Sequence, residues 1–346
     1  MAGLQQSSTF RSMSTPRKPA TIDDVAKVAG VSSMTISRAF NTPAKLSAET
    51  LKRVQDAVEQ LGYVPNAMAA GLRASRAKMI AALLPTLVGP VFQELVKALA
   101  ATLASRGYQL MIGQTGYDPA QEQAFIKTIV QRRPDGIVLV GVASSEGARN
   151  ALRALKIPVV ETWDLTDNPV DMVVGFSHIQ IGAHVAEFFA EKGHRQVAII
   201  TANDARARTR AKAYVSRSLE LGATKAECFF TTAPSTMGEG RRGLAELLAQ
   251  HPGISAVFCS SDSLALGAVI EAQRLGVNIP QQLSIVGLGD QSFAQDAFPA
   301  LTTVRLDGTR IGELAAELMM ARAEHRAVDE SIVDVGFHLI ERDSTL

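Results

Sequence analysis

Between Thr21 and Asn41 the chain reads TIDDVAKVAGVSSMTISRAFN, a pattern that fits two short helices joined by a tight turn. Thr21 is placed to cap the first helix, with Asp24 at its third position, where a carboxylate favours free N–H groups. Val25, Ala26 and Ala29 form a buried stripe, and Gly30 permits the left-handed turn that ends the helix. Ser32 caps a second helix whose Ile36, Ala39 and Phe40 pack inward. Met34 precedes Ile36 by two positions, about 200° round the helix, and so faces out. Ser33, Met34, Ser37 and Arg38 share that exposed surface, with Asn41 beyond the end. A helix-turn-helix offers its recognition helix to the DNA major groove in this way. An ordinary helical hairpin is the plainer alternative. The length of A-x-x-A-G-V-S-x-x-T-I-S-R counts against it, with alanines for close crossing and hydroxyls flanking one arginine.

Charge agrees with a nucleic-acid contact confined to the front of the chain. The net charge of the 346 residues is only +1, but residues 1–78 carry eleven Lys/Arg against five Asp/Glu, a net of +6. The remainder carries 24 against 29, a net of −5, so a basic head precedes an acidic body. Cys228 and Cys259 sit in apolar runs without C-x-x-C spacing and read as reduced, buried thiols of a cytoplasmic protein. No apolar run approaches the ~20 residues of a membrane span. Residues 1–19, Ser-rich, basic and free of acid, read as a disordered tail.

After the second helix comes a Pro-containing loop, then a third helix capped by Ser47. Its Leu51, Val54, Val58 and Leu61 recur at helical spacing up to Gly62. Residues 20–63 thus form a three-helix domain. Residues 64–77 hold a short run, Asn66 to Leu72, too brief and too weakened by Gly71 to stay helical unaided. From Met79 the texture becomes alternating aliphatic strands and amphipathic helices, with strands apolar on both faces. That predicts parallel sheets covered by helices. A single core rarely exceeds about 250–300 residues, so two lobes are expected over residues 78–346. The expected class is α/β: a helix-turn-helix head, a hinge and a two-lobed, doubly wound body.

The stretches TIDDVAKVAGVSSMTISRAFN, LGYVPNAMAAGLR, GHRQVAII, SSDSLALGAV, IPQQLSIVGLGD and ALTTVRLD resemble the LacI/GalR family of bacterial transcription regulators, from Ala20 to Asp343. Within it, LLPTLVGPVFQEL and ETWDLTDNPVDMVVGF are most similar to gluconate-operon repressors. The resemblance implies a homodimer on a palindromic double-stranded operator, released by a small-molecule effector bound in a body of periplasmic-binding-protein type. It places lobe 1 near 78–176 and 308–334, and lobe 2 near 177–307 and 335–346. Ser33 and Met34 fall at base-reading positions and Arg38 at the next. Thr21, Ser32 and Asn41 fall at phosphate-contact positions, with Thr35 and Ser37 in the same DNA-facing set. Asn66, Ala69 and Leu72 fall in the hinge helix, Leu72 as a minor-groove wedge.

For the effector the resemblance gathers Phe92, Phe176, Arg210, Ser261, Asp262 and the Gly289-Asp290 pair around the cleft, with Glu161, Trp163 and Asp164 at the lobe crossover. Arg206, Arg208 and Arg210 crowd a helix start, where cations are disfavoured, which argues for a bound anion or buried partner. Gly289 stands where many sugar-binding members keep an aspartate. With a carboxylate removed and cations kept, the expected ligand is a sugar acid, gluconate or a ketogluconate. Two rivals remain. A periplasmic sugar-binding protein would lack the basic head. An NAD-dependent enzyme is hinted at by Gly238-Glu239-Gly240-Arg241-Arg242-Gly243, which fits G-x-G-x-x-G but does not follow its strand directly. No catalytic motif, metal-ligand spacing or cofactor is otherwise indicated, and histidines such as His178 are expected to be satisfied or solvated.

Overall fold

A computed structural model describes residues 20–63, 77–87 and 90–346. The chain divides into two compact units, Met1–Ala77 and Lys78–Leu346.

The first unit holds α1 (Ile22–Ala29), α2 (Ser33–Asn41) and α3 (Ala48–Leu61). Helix α1 opens on a capping box: the Asp24 amide donates to Thr21 Oγ1 at 3.3 Å, and the Thr21 amide donates to the Asp24 carboxylate at 2.8 Å. Gly30, at φ +64°, ends it. Ser32 and Ser47 cap α2 and α3 through the amides of Thr35 and Thr50. Val25, Ala26, Ala29, Ile36, Val54 and Ala57 close into one core. Three local expectations change. The loop after α2 contains a 3₁₀ turn, Pro43–Lys45. Asn41 is the last residue of α2 and does not lie beyond it. Phe40, one turn past Ile36 and outside that small core, is 42% exposed with its ring tilted against Tyr63 at 6.3 Å.

The second unit contains two six-stranded sheets. One comprises β1 (Met79–Leu84), β2 (Gln109–Gln114), β3 (Gly136–Val140), β4 (Val159–Thr162), β5 (Met172–Gly175) and β11 (Ile332–Asp334), in the order β11-β5-β4-β3-β1-β2. The other comprises β6 (Gln196–Ala202), β7 (Lys225–Thr231), β8 (Ala256–Cys259), β9 (Ser284–Leu288), β10 (Thr302–Arg305) and β12 (His338–Ile340), in the order β12-β10-β9-β8-β6-β7. All pairings are parallel except β10 with β12. Strands β3, β5, β8 and β9 are buried at every residue, which is why they read as unbroken apolar runs. Cys259 is buried in β8, but Cys228 is exposed on β7, an edge strand of its sheet, so the expectation of two buried thiols fails at Cys228.

The helices are α4 (Gln93–Ala104), α5 (Pro119–Val130), α6 (Glu146–Ala154), α7 (His178–Glu191), α8 (Ala205–Glu220), α9 (Met237–Gln250), α10 (Asp262–Leu275) and α11 (Gly308–Ala323). The glycine motif at 238–243 lies inside α9. A Cβ on Gly240 would lie 2.1 Å from the Leu264 carbonyl, and one on Gly267 would lie 2.1 Å from the Met237 carbonyl. These glycines let α9 and α10 touch through their backbones. They form no strand-to-helix turn for a pyrophosphate, so the dinucleotide reading is excluded on geometry.

Candidate functional site

In the head, Met34 is 62% exposed and Arg38 is exposed without an ion pair among the described residues. Ser33 is placed differently from its expected free display. It is half-buried, and its hydroxyl donates to Asp23 Oδ1 at 2.6 Å, tying α2 to α1. Ser32 is committed as the cap, its oxygen 3.0 Å from Thr35 Oγ1. Thr21 Oγ1 also donates to Asp24 at 2.6 Å. Asn66, Ala69 and Leu72 lie outside the described residues, as does the side chain of Asn41.

In the body a cavity of about 290 Å³ is lined from both sheets, near the lower end of small-ligand pockets. Phe92, Trp163, His178, Arg210, Ser261 and Asp290 line it, joined by Asp204, Arg206 and Gln291. Asp204 caps α8 by accepting from the Arg206 and Ala207 amides. Residues 206 and 210 are one helical turn apart and share a face, while 208 points elsewhere. Accordingly Arg206 and Arg210 enter the cavity, whereas Arg208 is exposed with its guanidinium over Phe230 at 5.6 Å.

Arg210 is 5% exposed and forms no ion pair among the described residues. Burial pulls its guanidinium down to about 10, still cationic at neutral pH. Its Nη1 donates to His178 Nδ1 at 2.8 Å, and His178 Nε2 donates to the Trp163 carbonyl at 3.2 Å. That pair of contacts requires a neutral imidazole with its proton on Nε2. Burial, then the Arg210 and Arg206 charges, hold this histidine well below the usual imidazole range. Trp163 itself sits at φ +66°, a left-handed backbone costly for a large side chain. Its ring meets Phe92 edge-on at 5.2 Å and Phe176 at 5.5 Å, and Phe176 meets His178 at 5.1 Å.

Four expected cleft residues do not reach the cavity wall. Glu161 is fully buried in β4, accepting from the Ala143 and Val170 amides at 2.8 and 2.7 Å, with Arg149 at 3.7 Å. It ties loops together. Phe176 lies behind Trp163 as packing. Asp164 accepts from the Leu165 amide at 2.8 Å, and burial raises its carboxyl against the pull of Arg206 and Arg210. Asp262 is fully buried, spending one oxygen on the Thr303 hydroxyl at 2.5 Å and the other on the Gln291 amide at 2.7 Å. Asp290 does line the cavity, but its carboxylate is paired with Arg342 at 2.7 Å.

Sequence reasoning missed Arg206, His178 and Gln291 as members of one site. Only Arg206 was signalled, by its i,i+4 relation to Arg210. Buried side-chain atoms without a hydrogen-bond partner mark the place best. Four of those found among the described residues line this cavity: Arg206 Nη1, Arg210 Nε, and both amide atoms of Gln291. Native proteins leave few such groups unmet, so they mark where a ligand's polar atoms fit.

A helix-turn-helix head and a two-sheet body with a small cavity holding buried arginines together define a ligand-responsive DNA-binding regulator. The chain belongs to the LacI family of bacterial transcriptional regulators. The model of bacterial regulatory proteins of the lacI family matches residues 21–66, and that of the periplasmic binding protein-like domain matches 186–345. The chain is 34% identical over 332 residues to the HTH-type transcriptional regulator GntR of Pseudomonas aeruginosa, covering 94% of this chain and 95% of that one. It is 30% identical over 334 residues to the HTH-type transcriptional repressor PurR of Erwinia tasmaniensis, covering 94% and 96%. A LacI-family regulator structure from Silicibacter pomeroyi superposes with a TM-score of 0.88 at 30% identity, covering 94% and 99%. These relatives are named regulators, not enzymes. The chain is a DNA-binding transcriptional repressor of this family, and no described helix is long and apolar enough to cross a membrane.

Proposed function

We propose that the chain is the repressor of a sugar-acid operon: a homodimer on a palindromic operator, released when gluconate or a ketogluconate fills the body cavity. Residues 20–63 read the operator, with Met34 and Arg38 toward bases and the cap residues Thr21 and Ser32 toward phosphates. Residues 64–77 serve as the hinge, and 78–346 bind effector and dimerise. The observation that carries the ligand class is the buried Arg210 guanidinium, which has no ion pair among the described residues and keeps Nε unmet, in a cavity that also holds the unmet Nη1 of Arg206. A buried cation with no carboxylate in direct contact is costly even with Asp204 and Asp164 attracting it from farther off, and an anionic ligand supplies a direct partner. The apolar Phe92–Trp163 wall would face the carbon chain.

The name GntR on one relative agrees with this reading. The name PurR on another shows that names alone do not select the ligand. Calorimetry against gluconate, 2-ketogluconate, glucose and galactose, with a gel shift on the chain's own upstream DNA, tests it. Acids should bind and release the operator, and Arg210→Ala should abolish both effects. Tight binding of a neutral sugar with no response to the acids would end the proposal.

A further inference from the structure

We infer that Gln291 is the specificity-determining residue of the cavity: its neutral amide grips the hydroxyl chain of a bound acid. The inference rests on the sugar-acid reading and adds to it a residue that the family resemblance did not indicate.

Both side-chain amide atoms of Gln291 are buried, and both lack a partner among the described residues. Exchanging amide oxygen and nitrogen leaves that result unchanged, so it does not depend on how the amide is oriented. The residue is held by its backbone. Its N–H donates to Asp262 Oδ2 at 2.7 Å, while Asp262 Oδ1 accepts from the Thr303 hydroxyl at 2.5 Å. Gly287 leaves the space that this carboxylate fills, since a Cβ there would meet Asp262 Oδ1 at 2.2 Å. A buried acid is thus spent entirely on fixing the turn from which Gln291 projects into the cavity.

Gly289 completes the arrangement. At φ +129° it adopts a backbone that side chains rarely allow. A Cβ on it would come within 3.5 Å of Gln291 Cγ and 3.7 Å of Nε2, so the glutamine stem lies along the bare face of this glycine. The neighbouring Asp290 carboxylate is already paired with Arg342. Among the described lining residues, the unmet buried atoms are therefore two arginine nitrogens and one complete amide. The arginines suit a carboxylate. An amide offers one donor group and one acceptor side by side, which matches the adjacent hydroxyls of a polyol chain. A carboxylate at this point would accept from hydroxyls equally well, but it would add an unpaired negative charge beside a bound acid, unlike that of Asp290, which Arg342 pairs.

Calorimetry on the full-length protein, with gluconate, 2-ketogluconate and neutral glucitol as probes, tests the inference in Gln291→Ala and Gln291→Glu. Circular dichroism and operator affinity without ligand check that each variant is folded. Wild type should bind the acids. Gln291→Ala should weaken them about tenfold. Gln291→Glu, of equal length, should weaken them further while changing glucitol affinity less, so that the acid-to-glucitol preference falls at least tenfold. Wild-type acid binding with neither variant changing it would overturn the role of Gln291 and leave the acid reading standing. An equal loss of acid and glucitol affinity in Gln291→Glu would overturn the charge argument. Failure of wild type to bind either acid would overturn both.

Discussion

His178 shows how one imidazole can hold a cation in place without sharing its charge. As the first residue of α7 it faces the positive end of a helix dipole, and its Nδ1 lone pair is occupied by Arg210. Protonation would cost that hydrogen bond and set three cationic side chains together. Because the folded state holds this imidazole below its unfolded value, the unfolded chain takes up more protons once pH falls below about 6.5. Stability contributed by neutral His178 is therefore full above that pH and declines as pH falls toward the folded value. His194, also lowered by burial, adds to the same slope. Urea midpoints of wild type should drop between pH 7 and 5, by at most about 1.4 kcal/mol per unit per group. His178→Asn should flatten part of that drop, and an identical slope in the variant would refute the assignment. Arg38→Ala is the corresponding test in the head. It should cost ~1–3 kcal/mol of operator affinity and relax preference at one base per half-site, measured across operator variants.

At the scale of elements, the head depends on caps and the body on close crossings. Thr21→Ala removes the hydroxyl that accepts the Asp24 amide and donates to its carboxylate, and should lower head stability by about 1 kcal/mol in a thermal melt. Gly240→Ala presses a methyl onto the Leu264 carbonyl, so α9 must move off α10, at a cost of ~1–3 kcal/mol or more in the body's denaturant midpoint. A midpoint unchanged within error would show that the crossing is loose. These elements were largely legible in the sequence, because caps, apolar periodicity and fully apolar strands are local properties of the chain. The cavity was legible only in part. Arg210 and Trp163 stood out through resemblance, whereas Arg206, one turn before Arg210, read only as part of an arginine run at a helix start. Nothing local distinguishes Gln291 from any polar loop residue. Its burial depends on where Asp262 and Thr303 meet it in space. Glu161 misled for the same reason, since the amides of Ala143 and Val170 that satisfy it come from separate loops.

The whole molecule must join a ligand in the body to an operator on the head, and this joining gives the most demanding prediction. The cavity takes Phe92 and Trp163 from the side of one sheet and Arg210, Ser261 and Gln291 from the side of the other, so an acid bound there bridges the two. A ligand that binds only the folded body at a hundred times its Kd should stabilise it by ~2.7 kcal/mol, seen as a raised body transition in scanning calorimetry. If it also releases the operator, the coupling must be reciprocal: gluconate weakens operator binding by the same factor as operator weakens gluconate binding, typically 5–150-fold. Both dissociation constants, measured with and without the other ligand at one salt concentration, give that factor twice, because phosphate contacts make operator affinity strongly salt-dependent. Arg210→Ala should bring both factors to about one while leaving ligand-free operator affinity intact. Tight gluconate binding with factors of one in wild type would mean that the acid occupies the body without acting as the effector, and the repressor reading would then need another ligand.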